Sequence, residues 1–170
     1  MSRGFVKEDD LELAGTDLVE RPISELPNYV TPTGLAQLKA SESALLDERE
    51  LLAPKKEDSS AVQRLTMVDR DLRYIQARLE QAILVETPKE TSPKSVVFGT
   101  TVTVEDEAGE QHQFQIVGED EADITLNKVS YASPLAKALI GQKIGDSVRW
   151  KRPAGDLNLE IIKITYQEKK

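Results

Sequence analysis

The stretch "AVQRLTMVDRDLRYIQARLEQA", residues 61–82, decides the fold. Ala61, Leu65, Val68, Leu72, Ile75, Leu79 and Ala82 alternate spacings of four and three without a break. A helix with that seam buries one stripe against a partner helix, as in a coiled coil. The partner lies just upstream. "TPTGLAQL", residues 31–38, opens with Thr31 as a candidate N-cap, Pro32 at the first helical position and Thr33 as an alternative cap. From there Leu38, Leu45 and Leu52 recur every seven residues, while the interleaved Leu35, Glu42 and Arg49 are only partly apolar. Between the two runs, in "LLAPKKEDSSAVQRL" (51–65), Pro54 cannot continue a helix, and Asp58 or Ser59 can cap the next one. A connection this short makes antiparallel neighbours. Helices of about 20 residues run roughly 30 Å. The pattern therefore predicts a helical hairpin over residues 31–86, with "APKKEDSS" at its far tip.

The flanks read differently. Residues 1–30 hold seven acids against three bases, with no apolar period and with Pro22 and Pro27 as punctuation. They predict an acidic, largely extended N-terminal arm, docked at "VERPISEL" (19–26). "TPKETSPKSV" (87–96) reads as a linker. From 97 to 170 the pattern turns to strands. "VVFGTTVTVEDEAGEQHQFQIVG" alternates apolar and polar residues around a hairpin turn in which Gly109 supplies a positive φ. "ADITLNKVSYA" alternates again, with Asn127 as a turn. "SPLAKALIG" has Ser133 as N-cap, Pro134 at the first helical position and Gly141 just past the end. "GDSVRWKRP" and "LNLEIIKITYQ" close the sheet. The fold class is α+β: a helical hairpin followed by a small antiparallel sheet with one short helix.

Composition narrows the function. The chain of 170 residues has no cysteine, which excludes thiolate catalysis, disulfides and Cys-bound zinc, and a single histidine, His112. A formal charge of −8 argues against wrapping naked nucleic acid. No apolar run reaches the roughly 18 residues of a membrane span, and the N-terminus has no secretion signal. A cytoplasmic protein with a protein partner and no membrane contact is the expectation. No phosphate-binding loop and no nucleophile elbow occurs. His112 sits in an alternating strand and reads as a surface side chain. The acids Glu119, Asp120, Glu121 and Asp123 lack the graded spacing of a calcium loop and read as solvated. Arg70, Arg73 and Arg78, interspersed with Asp69, Asp71 and Glu80, read as a solvated helix face. Trp150 reads as core or edge packing. At the hairpin tip, Glu57 and Asp58 are the only acids, beside Lys55 and Lys56. Two carboxylates on a wet tip hold Mg²⁺ weakly, because the ion keeps its waters and wants further oxygens. Chemistry at this tip needs another protein's active site around it.

Five stretches carry a resemblance. "VVFGTTVTV", "FQIVGEDEADITLNKVS", "SPLAKALIGQKIGDSV" and "RPAGDLNLEIIKITY", with the opening "TPTGLAQL", are similar to the bacterial Gre family of transcription factors, over residues 31 to about 166. The resemblance implies an FKBP-like fold for the sheet domain and a partner, bacterial RNA polymerase, bound by the largest catalytic subunit at the rim of the secondary channel. It places polymerase binding on Ser133, Pro134, Leu135 and Lys137. It implies that the hairpin enters the channel, where tip carboxylates help the polymerase hold Mg²⁺ and cleave the 3′ end of backtracked RNA. In that reading the protein is a monomer with no intrinsic cofactor and is not itself an enzyme. Glu57 and Asp58 are then the candidate catalytic and metal-ligating residues, within the polymerase active site only. Lys55, Lys56 and Arg64 are candidates for RNA phosphate.

The chain departs from the Gre pattern at the tip. The family's Gly-Asp and Glu-Asn-Ala-(Glu or Asp)-Tyr run is replaced by "APKKEDSSAV", and Ala132 stands before Ser133 where a polar residue is common. The hairpin is shorter by about one heptad per helix, roughly 10 Å of reach, and the acidic arm has no counterpart in the pattern. Other readings follow: a regulator that occupies the channel without cleavage, a structural adaptor dimerising through the hairpin, and, on fold alone, a prolyl isomerase with few aromatics to line a proline pocket.

Overall fold

The computed structural model describes residues 18–87 and 92–166. The expectations for residues 1–17 and for the middle of the linker lie outside the described residues. Two compact units form: residues 18–27 with 36–82, and residues 28–35 with 83–166.

The first unit is the hairpin. Helix α1, Pro32–Leu52, begins in the other unit and continues into this one; helix α2 is Ser59–Gln81. Both lie where the seam predicts them. Ala61, Val68, Leu72 and Ile75 of α2 and Leu38 of α1 are buried, and Leu45, Leu52, Leu65 and Leu79 are half-buried. Two exposed ion pairs bridge the helices in the antiparallel register that the buried seam sets. Arg64 donates to both carboxylate oxygens of Glu48, Nε at 2.5 Å and Nη2 at 2.9 Å. Arg49 donates to Asp69 at 2.7 Å. Arg49, a weak seam position in the sequence, is thus satisfied within the chain. Arg78 corrects the solvated-face reading: it is fully buried, with its guanidinium carbon 6.0 Å from the Tyr74 ring centre.

The second unit is a sheet domain. Strand β1, Asn28–Val30, pairs with β2, Ala82–Leu84, and the Val85 N–H donates to the Val30 carbonyl. Both strands fall where an extended arm and a helix were expected. Tyr29 on β1 explains the first: its ring packs 6.0 Å from Phe98 and 5.4 Å from Tyr131, centre to centre. The remaining strands are β3 Thr100–Glu105, β4 Gln111–Val117, β5 Lys128–Ser130, β6 Ser147–Trp150 and β7 Leu157–Tyr166. They form one sheet in the order β5-β4-β3-β7-β6. Helix α3, Pro134–Leu139, packs its buried Leu135, Ala136 and Leu139 into the same core as Val102, Phe114, Ile116, Leu159, Ile161 and Ile164.

The sheet is mixed rather than purely antiparallel, because β5 runs parallel to β4. A parallel neighbour needs a crossover, and residues 118–127 supply it. Inside that crossover, Ile124–Leu126 form one 3₁₀ turn instead of the first half of a strand. Asp123 caps the turn, accepting the Thr125 N–H at 3.0 Å and its hydroxyl at 2.6 Å. Asn127 ends it at φ 57°. Val96, assigned to the linker from sequence, is fully buried and exchanges backbone hydrogen bonds with Gln142 and Gly141.

Candidate functional site

The hairpin tip follows from two local events. Pro54 lacks an N–H and α1 ends at Leu52. The chain then turns through Lys55 N–H to Leu52 carbonyl, 3.0 Å, and Asp58 N–H to Lys55 carbonyl, 3.2 Å. Asp58 starts α2. One of its carboxylate oxygens accepts the N–H of Ser60 at 2.9 Å and of Ala61 at 3.3 Å. The choice between Asp58 and Ser59 as cap therefore falls to Asp58. Glu57, Lys55 and Lys56 are exposed. Of the two tip carboxylates, Glu57 projects from the turn and Asp58 spends an oxygen on the helix. Their donor set fits Mg²⁺ only with oxygens from elsewhere, since one of the two carboxylates is engaged and two ammonium groups stand beside them. Arg64 is placed differently from the expectation: its guanidinium is engaged on Glu48 and fastens the hairpin.

The second predicted surface is built on α3. The Ser133 hydroxyl accepts the Ala136 N–H at 3.2 Å, Pro134 occupies the first turn, and Gly141 closes the end at φ 89°. Pro134 and Lys137 are exposed and Ser133 is half-buried. Leu135 is a correction. Its side chain lies in the core, so it seats the helix and offers no contact surface.

Glu121 is the residue that sequence reasoning missed. Read as part of a solvated acidic loop, it is buried. Its carboxylate accepts the Thr31 hydroxyl at 2.6 Å and the Lys128 ammonium at 3.3 Å. Thr31 in turn accepts the Gly34 N–H at 2.9 Å, capping α1 as its sequence position predicts. The run of four acids hid Glu121, since nothing in its spacing separates the buried member from half-buried Glu119 and exposed Asp120 and Asp123. His112 is half-buried rather than a plain surface side chain, with Nε2 3.0 Å from Asp106. The other Asp106 oxygen accepts the N–H groups of Ala108 and Glu110, each at 2.9 Å. His112 together with those two N–H groups holds the Asp106 carboxyl below its ordinary value of 3.8. Asp106, Glu110 and His112 thus close the β3–β4 turn. Trp150 packs edge-on to Phe114 with ring centres 5.4 Å apart, as expected of core packing.

Residues 90–166 match the C-terminal domain of the transcription elongation factors GreA and GreB. The transcription elongation factor GreA of Trichlorobacter lovleyi is 44% identical over 117 residues, 68% of this chain and 73% of that protein. The GreA of Pseudomonas aeruginosa is 38% identical over 159 residues, 92% of this chain and 96% of that protein. The chain belongs to the GreA/GreB family. It is a Gre-type transcription elongation factor, with the α+β hairpin-and-sheet architecture described above. Among solved structures, GreA/GreB from Nitrosomonas europaea covers 82% of this Gre-family chain and 99% of its own, at 24% identity and a TM-score of 0.41. GreA factor homolog 1 of Thermus thermophilus covers the same shares at 24% identity and a TM-score of 0.40. No helix among the described residues is long and apolar enough to cross a membrane.

Proposed function

We propose that this Gre-family factor binds bacterial RNA polymerase at the rim of its secondary channel and stimulates the polymerase's own cleavage of backtracked RNA. The factor works in the cytoplasm as a monomer and is not itself an enzyme. Pro134 and Lys137, with Ser133 beside them, supply the docking surface on the largest catalytic subunit. The hairpin reaches toward the nascent RNA 3′ end. The observation that carries this reading is an exposed carboxylate, Glu57, at the closed end of two intact helices of 21 and 23 residues. In the channel, Glu57 would be this chain's ligand to a Mg²⁺ ion shared with the polymerase, and the ion would supply an activated water for the cleavage. Asp58 holds the turn that aims Glu57, and Lys55 and Lys56 face the RNA phosphate.

A second reading has an observation of its own. Asp58 is committed to the α2 cap and two lysines flank Glu57, which lowers the tip's hold on a cation. That arrangement favours a channel occupant that regulates without cleavage. Cleavage of the transcript in backtracked elongation complexes separates the two. The test compares wild type with Glu57→Ala/Asp58→Asn, in which asparagine keeps the cap. Cleavage stimulated by wild type and lost in the variant supports the first reading. Polymerase binding with no stimulation by either protein establishes the second.

A further inference from the structure

The segment just before the hairpin is held on α2 in an unusual way. Glu20 accepts from Arg73 through both oxygens, Nε at 2.7 Å and Nη2 at 2.5 Å. The next residue, Arg21, lays its guanidinium 3.8 Å from the centre of the Tyr74 ring and reaches Asp71 at 3.4 Å. The apolar side chains of the same segment are only partly covered: Val19 is 80% exposed, Ile23 40% and Leu26 46%, and Leu18 is half-buried. Charge and ring contacts therefore supply the directional hold on the segment, beside partial apolar burial. Exposed ion pairs of this kind are weak and screened by salt, so the contact is reversible by construction.

The chemistry of the two contacts matches a particular ligand. A carboxylate that engages both donors of an arginine fork occupies the position of a phosphate. A planar guanidinium over a tyrosine face occupies the position of a stacked base. Glu20 and Arg21, consecutive in the chain, thus present the outline of one nucleotide to Arg73 and Tyr74. Arg70 sits beside them, one of its amino groups 3.2 Å from Asp71.

We infer that Arg73 and Tyr74 of α2 form a binding site for single-stranded RNA, and that Glu20 and Arg21 are its built-in competitor. The arm covers the site in the free protein and leaves it when RNA binds. The site lies on the hairpin shaft and is independent of whether the tip supports cleavage.

The test uses the full chain and two readouts. The protein has no cysteine, so spin labels at Val19→Cys and at the exposed Gln76→Cys report the arm position by pulsed electron resonance. The releasing variant is Glu20→Lys/Arg21→Glu, which places like charges opposite Arg73 and Asp71 and leaves the net charge unchanged. Wild type is expected to give one narrow distance and the variant a broad distribution. Anisotropy of a labelled oligouridine is expected to show about threefold to tenfold tighter binding by the variant, the range that one or two exposed contacts command. Adding Arg73→Gln or Tyr74→Ala to the variant is expected to abolish the gain. A broad distribution in wild type overturns the inference. So does release of the arm with no gain in RNA affinity, a gain that survives loss of both Arg73 and Tyr74, or release of the arm by RNA polymerase but not by RNA.

Discussion

At the scale of single residues, three positions have roles that substitution separates. Asp58 is both a tip carboxylate and the cap of α2. Asp58→Ala is expected to cost about 1 kcal/mol of stability, the value of a lost cap, and Asp58→Asn close to nothing. Chemical denaturation of the two variants checks this, and equal losses would remove the capping role. Glu121 has a larger stake because it is buried between Thr31 and Lys128. Glu121→Ala strands a hydroxyl and a mostly buried ammonium and is expected to cost about 2–3 kcal/mol. Glu121→Gln keeps an acceptor for Thr31 and is expected to lose less. Gly118 is constrained by space rather than by dihedral angle. A Cβ there would run into the backbone carbonyl of Tyr29, which has no flexible end to move aside. Gly118→Ala is expected to cost about 1–3 kcal/mol as β1 is pushed away, visible as a lower denaturation midpoint at unchanged slope.

At the scale of elements, legibility followed periodicity. The seam of α2 marks most of its inward face because a packed helix must repeat every three or four positions, while Arg78, buried off the seam, and Ala82, in β2, escape it. The cap and proline at Thr31–Pro32 and Ser133–Pro134 were equally readable, since they answer to local backbone groups. Elements that depend on distant partners were not. β1 exists because Tyr29 meets Phe98 and Tyr131, and Val96 is core because it bonds Gln142; neither partner is visible from the local pattern. β5 was expected to be antiparallel because its alternation has no direction, and only the crossover through the Asp123-capped turn sets it parallel. The tip carboxylates were legible as charges, yet Asp58's commitment to the cap emerges only from its bonds. The arm adds a pH-dependent element. Glu20 is held below its ordinary value of 4.5, mainly by hydrogen bonds from Arg73 and further by the charges of Arg73 and Arg70. A depressed carboxyl stabilises the docked arm above its unfolded pKa and loses that contribution as pH falls through the docked pKa. The arm is expected to stay docked at neutral pH and to release as pH drops below 4.5. The same Val19–Gln76 label distance, followed on acidification, checks the direction. Release on raising the pH instead would contradict it.

At the scale of the whole molecule, the proposed function assigns the two units separable tasks. The sheet unit holds the α3 surface, with Pro134 and Lys137 exposed and Leu135 anchoring them from below. The hairpin unit holds the tip and the arm. Under the proposed docking, affinity for RNA polymerase resides in the sheet unit and any effect on the transcript in the hairpin unit. Pro134→Glu leaves the Ser133 cap in place and puts a carboxylate on the proposed contact. It is expected to lower polymerase affinity at least tenfold, because an unpaired charge forced into a contact surface costs more than a lost apolar contact. Glu57→Ala is expected to leave affinity within about twofold, since an exposed tip carboxylate adds little binding free energy in water. Titration of labelled factor onto core polymerase measures both. Circular dichroism of Pro134→Glu shows whether α3 and the sheet remain folded. A folded Pro134→Glu variant that binds as tightly as wild type would move the docking surface off α3. A large affinity loss from Glu57→Ala would mean that the tip is a binding element, and would favour channel occupancy over assisted cleavage.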